Sequence, residues 1–214
     1  MSLSQSLVPF LPSKFVGYLP LYIGVELILG IAILNKVSGA YGIVSIFTGH
    51  PINFWQWLYN MLAIIVLPIY ISALSHLQTR PSNVRKVSLA CLIFVADTII
   101  GVFYTIYFVS FWFSHEDNVP AEESVQPLTS QSASEARELF VTSSTTLIIT
   151  FIRFYFTLVI ISFTRALLKQ NASQRLVAED EEEAINQPGK LAKMKKFILG
   201  WEIRATEYLG DLFR

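Results

Sequence analysis

The chain is poor in every group that usually carries protein chemistry. Its 214 residues include one cysteine and three histidines. Cys91 sits inside an apolar block, so a disulfide framework is excluded. His50, His76 and His115 are scattered, and neither a CxxC nor an HExxH pattern occurs, so no metal centre and no cofactor is expected. Charge is scarce as well. Charged residues make up 15% of the chain, against about 25% in an ordinary soluble domain. Sixteen lysines and arginines balance sixteen carboxylates. With no basic surplus, a nucleic-acid partner is not expected. The opening MSLSQSLVPFLPSKF has neither a basic n-region nor a small-residue cleavage site. The first hydrophobic helix is therefore expected to act as its own signal.

What is abundant is apolar sequence, 53% of all residues. It is gathered into blocks close to or above the roughly 20 residues that cross a bilayer as a helix. The blocks predict an all-α polytopic membrane protein with four spans, at about 15–34, 54–77, 87–113 and 139–168. The four spans together form a domain over residues 1–168. Pro68 is expected to kink the second span. The segment Gly39 to Phe47 is too short to cross. It reads either as an interfacial or re-entrant helix or as an extension of the first span. Phe54, Trp55 and Trp57 form an aromatic belt.

Lysine and arginine placement gives the orientation. Lys14, Arg80, Arg85, Lys86, Arg165, Lys169, Arg175, Lys190, Lys193, Lys195, Lys196, Arg204 and Arg214 fall on one side of a four-span layout, and only Lys36 and Arg137 on the other. Both termini are expected in the cytosol. The acidic, Ser/Pro/Gln-rich loop 114–138 is expected on the lumenal face as a linker. Residues 169–214 form a cytosolic tail. Within it, Leu191, Met194, Ile198, Trp201, Ala205, Tyr208 and Leu212 alternate at three and four residues. An amphipathic helix over about 190–213 is expected, lying on the leaflet through its lysines or packed on a partner subunit.

Three charges fall inside spans: Glu26, Asp97 and Arg153. Each costs about 2.5–3.5 kcal/mol in hydrocarbon if left alone. Arg153 is expected to pair within the bundle, with Asp97 or Glu26. Two chemical alternatives remain at this level. Thr48-Gly49-His50 is similar to the Ser-Gly-His motif of lipid phosphotransferases, which would make His50 a nucleophile in a self-sufficient enzyme. The second histidine, the aspartate and the phosphate-holding cations of such an enzyme have no counterpart at the right spacing. A small proton-coupled carrier using Glu26 and Asp97 is the other alternative. No inverted repeat supports it.

The stretch PLYIGVELILGIAILNKVSGAYGIVSIFTGHPINFWQW, from Pro20 to Trp57, closely resembles the signature of the fungal regulatory subunits of inositol phosphorylceramide synthase. LPSKFVGYLP before it, Asp97-Thr98 and FWFSHED in the third span, and FIRFYF (Phe151 to Phe156) in the fourth agree in order. The resemblance covers all four spans. It implies a non-catalytic partner of the aureobasidin-sensitive catalytic subunit in the Golgi, which moves phosphoinositol from phosphatidylinositol to ceramide. It also implies Golgi sorting through the cytosolic tail and vesicle-coat proteins. On this reading Glu26, Asn35, Gly39, Tyr41, Gly42, Thr48, Gly49, His50 and Pro51 are expected to make the partner contact. Lys193, Lys195, Lys196 and Trp201 are expected to serve membrane-surface binding or sorting.

Overall fold

The computed structural model describes residues 8–47, 54–77, 83–116, 135–171 and 190–213. Among them are a short 3-10 turn, Val8–Phe10, and five α-helices. These are α1 (Leu21–Phe47), α2 (Phe54–Leu77), α3 (Val84–Glu116), α4 (Glu135–Asn171) and α5 (Lys190–Leu212). Four contain stretches long and apolar enough to cross a membrane: Leu21–Gly39, Trp57–Leu77, Val84–Tyr107 and Phe140–Gln170. The protein is a multi-pass membrane protein. In hydrocarbon no water satisfies a free N–H or C=O, so an apolar run closes its hydrogen bonds within itself as a helix.

The helix boundaries have local causes. α1 starts at Leu21, six residues later than the first apolar residue of its block. Before it, Phe15 and Leu19 exchange two backbone hydrogen bonds of 2.8 and 2.9 Å around a tight turn. Gly17 takes φ +83° there, a conformation open to glycine, and Val16 is drawn to φ 50° beside it. The turn folds Phe15 back until it is buried against Gly24. A Cβ at Gly24 would lie 2.6 Å from the Phe15 ring, so this closure depends on a bare backbone. At its other end α1 runs on to Phe47, so Gly39 to Phe47 extends the first span. α2 stays helical through Pro68, where the ring removes one intrahelical donor. α3 begins where the Asn83 side chain accepts hydrogen bonds from the Arg85 and Lys86 amides, at 3.1 and 3.4 Å. That is an N-cap, which satisfies donors otherwise orphaned in the first turn.

The chain divides into two compact units, Met1–Phe94 with Phe156–Arg214, and Val95–Tyr155. In the first, α1 packs along α2. Val25, Ile28 and Leu29 of α1 are buried, as are Ala63, Tyr70 and Ala73 of α2. Cys91 of α3 is buried and hydrogen-bonded to Thr164 of α4. Large side chains such as Leu27, Ile31, Ile65 and Ile71 face outward. Apolar surface of this kind suits lipid and would be a liability in water. The second unit contains the later part of α3 and the earlier part of α4. Its described exterior is equally apolar, with Ile99, Phe103, Ile148 and Phe151 exposed, while Thr98 and Gly101 are buried.

Candidate functional site

The second unit is organised around a charge pair. The Arg153 guanidinium of α4 makes an ion pair with the Asp97 carboxylate of α3 through Nη2. The same nitrogen donates to the Asp97 backbone carbonyl at 3.1 Å, and Nε donates to the Thr98 hydroxyl at 3.4 Å. Of the two carboxylates left open by the sequence, Asp97 is the one observed against Arg153. Both side chains are largely enclosed, at 23% and 12% exposure. Mutual neutralisation with added hydrogen bonds is the arrangement under which charges survive in a low dielectric.

Gly101, one turn after Asp97, completes this site and was not singled out from the sequence. Residues four apart share a helix face. A Cβ at Gly101 would lie 2.8 Å from Arg153 Nη1 and 3.2 Å from its Cζ. The guanidinium therefore occupies the space that a side chain at 101 would need. A glycine at i+4 from an intramembrane aspartate was the available signal. Its meaning depended on knowing where Arg153 goes.

A second polar seam lies between α1 and α2. Lys36 is buried at 3% exposure, and its ammonium lies 5.1 Å from the centroid of the Tyr59 ring. Asn60 is buried beside it. Gly39, three residues on from Lys36, faces the same helix: its Cβ position is 3.3 Å from the Ala63 side chain and 3.8 Å from Asn60 Oδ1. Lys36 was counted on the lumenal side by the charge rule. It is buried with its ammonium over an aromatic ring of its own chain, an attraction worth more once water is removed. Gly39 likewise serves an approach between helices of its own chain.

The other expected residues fall as follows. Glu26 is half-buried on α1, and Asn35 is exposed. Tyr41 and Gly42 belong to the helical extension of α1. Thr48, Gly49, His50 and Pro51 lie outside the described residues. Lys193, Lys195, Lys196 and Trp201 are exposed on α5. His76, at the end of α2, contacts the Ser72 carbonyl through Nδ1 at 2.8 Å and the Lys86 ammonium through Nε2 at 2.8 Å. This contact ties the end of α2 to the first turn of α3. Among the described residues no group of three or more His, Cys, Asp or Glu could hold a metal ion.

Comparison with known proteins agrees with the span pattern. The family model described as inositolphosphorylceramide synthase subunit Kei1 matches residues 14–130 and 118–171, a region that contains α1 to α4. The inositol phosphorylceramide synthase regulatory subunit of Saccharomyces cerevisiae is 37% identical over 174 residues, 74% of this chain and 78% of the yeast protein. The corresponding regulatory subunit of Schizosaccharomyces pombe is 30% identical over 168 residues, 74% of this chain and 69% of its own length. No solved structure matches the chain. With four spans inside the matched region and two regulatory subunits aligned along most of their length, the chain belongs to the Kei1 family of inositol phosphorylceramide synthase subunits.

Proposed function

We infer that this chain is the regulatory, non-catalytic subunit of an inositol phosphorylceramide synthase, bound in the membrane to the catalytic subunit that transfers phosphoinositol to ceramide. The observation that carries this reading is the family match through all four spans. The Asp97–Arg153 pair supports it chemically. Two intramembrane charges are spent on each other, as in a scaffold, and neither is held ready for a substrate.

The working location is the Golgi membrane, with both termini cytosolic and the loop 114–138 lumenal. The lysine and arginine asymmetry supports that orientation, and the burial of Lys36 leaves Arg137 as the exposed basic residue of the proposed lumenal side. The partner contact runs along α1. Gly39 is engaged by α2, so the proposed contact uses exposed Asn35 and, one heptad on along the same helix, Gly42. Glu26, on the other side of α1 from Asn35 at helical pitch, and the Thr48–Pro51 segment, outside the described residues, are further candidates for partner contact. The tail carries sorting through vesicle-coat proteins.

The decisive experiment purifies the chain and the catalytic subunit separately and together in mild detergent, then assays phosphoinositol transfer to ceramide. The expected result is co-purification, an inert isolated chain, and activity that depends on the pair. Transfer by the isolated chain would overturn the reading and return His50 to the centre. For the interface, Asn35→Leu and Gly42→Leu should weaken co-purification while α1 and α2 stay packed. Undiminished co-purification with full activity would place the contact elsewhere.

A further inference from the structure

α5 presents one apolar side, and the fold divides that side into two strips. Helical pitch puts Glu202, Ala205 and Leu209 on one strip. All three are buried within the first compact unit. Beside it run Met194, Phe197, Trp201 and Tyr208, at spacings of three, four and seven residues. These four are 64%, 68%, 52% and 62% exposed. The Phe197 and Trp201 rings meet edge to face with centroids 6.2 Å apart, so the strip is ordered against itself. Lys193 and Arg204 edge it on the flank away from the buried strip, and both are exposed. Lys195 and Lys196 are exposed in the same first turns.

An apolar and aromatic row edged by cations has the chemistry of an anionic phospholipid surface. Aromatic rings settle at the boundary between headgroups and acyl chains, and ammonium and guanidinium groups meet the phosphates. The same compact unit holds α1 and α2, which have lipid-suited exteriors. The buried strip therefore fastens α5 to a body already in the bilayer. We propose that the Met194–Tyr208 strip of α5 lies in the anionic leaflet, with Lys193 and Arg204 on lipid phosphates, while Glu202, Ala205 and Leu209 tie the helix to the bundle.

The test uses the full chain in nanodiscs of phosphatidylcholine alone or of phosphatidylcholine with phosphatidylserine. Cys91 is buried and hydrogen-bonded, so a nitroxide label goes to an introduced cysteine. Met194→Cys reports the strip. Glu207→Cys, exposed on the opposite side of α5, reports water. The label at 194 should favour oxygen over a water-soluble nickel chelate, severalfold more so with phosphatidylserine, and the label at 207 should favour the chelate in both. Lys193→Gln with Arg204→Gln should remove the phosphatidylserine dependence without altering the label at 207. Nickel access at 194 equal to that at 207 in both lipids would overturn the proposal and leave the strip to a protein partner. Lipid contact unchanged by serine lipid or by the double substitution would overturn its electrostatic half.

Discussion

Removing Asp97 should damage the protein more than removing Arg153, and removing both should damage it least. Asp97→Ala removes the carboxylate paired with the guanidinium and leaves its hydrogen bonds to the residue 97 carbonyl and the Thr98 hydroxyl. Breaking one half of a buried pair costs about 3–5 kcal/mol. The two surviving hydrogen bonds put this case near the lower end, at about 3 kcal/mol. Arg153→Met leaves a carboxylate, which can take up a proton and become neutral, whereas a guanidinium cannot. Its cost should be smaller, about 2 kcal/mol. The double variant leaves no charge and loses only packing, about 1 kcal/mol. For a chain of this size each kcal/mol moves the unfolding midpoint by roughly 2–4 °C. Asp97→Ala should therefore melt about 6–12 °C below the parent and the double variant about 2–4 °C below it. Thermal unfolding of the full chain in one detergent, read as a double-mutant cycle, supplies the coupling. Gly101→Ala gives an internal check. Its new Cβ would meet Arg153 Nη1 at 2.8 Å, so it should destabilise the parent and be nearly silent beside Arg153→Met. Additive single effects, or a Gly101→Ala penalty unchanged in the Arg153→Met background, would refute the coupling.

Three further outcomes follow from contacts elsewhere. Asn83→Ala removes the acceptor for the Arg85 and Lys86 amides and should lower stability by about 1 kcal/mol, with Asn83→Asp restoring it; thermal unfolding reads both. Gly24→Val would drive a side chain into Phe15, already 2.6 Å from the Cβ position, and should open the turn before α1, exposing residues 15–19 to protease while the spans stay protected. The Cys91 thiol is fully buried and hydrogen-bonded to Thr164. It should resist maleimide labelling in the folded protein and react fully once the chain is denatured.

The number of spans was legible because length and apolarity alone decide whether a segment can cross. The start of α1 was not. Phe15 to Leu19 is as apolar as the helix that follows, and hydropathy cannot register that Val16 and Gly17 adopt positive φ. The extension of α1 to Phe47 was one of two open readings, because Gly39 and Gly42 weaken a helix without forbidding it. Lys36 was counted by sidedness alone, which says nothing of its burial. Tyr59, 23 residues further on, gives it an enclosed site that no local pattern announces. Arg153 could be expected to find a carboxylate. The choice of Asp97, and the need for bare space at Gly101, are properties of the α3–α4 contact. In the tail, periodicity found one apolar side. Only the fold divides it, sending Ala205 inward with Glu202 and leaving Trp201 and Tyr208 uncovered.

These placements bear on how a subunit can matter to an enzyme without doing its chemistry. Every intramembrane polar group spent inside the chain is unavailable to a partner. Arg153 and Asp97 engage each other, and Lys36 of α1 and Asn60 of α2 are buried. On the Asn35 side of α1 the exposed polar groups are uncharged, Asn35 and Ser38, the latter already bonded to the Leu34 carbonyl at 3.0 Å. A partner helix meeting such a surface gains close packing and a side-chain amide hydrogen bond, with no charge to desolvate. That contact can be broken with a single leucine and no loss of folding. The charge pair and the lysine seam are the opposite case, because their loss should unfold the subunit before it weakens any interface. Variants of Asn35 should therefore separate assembly from stability, and variants of Asp97 should not.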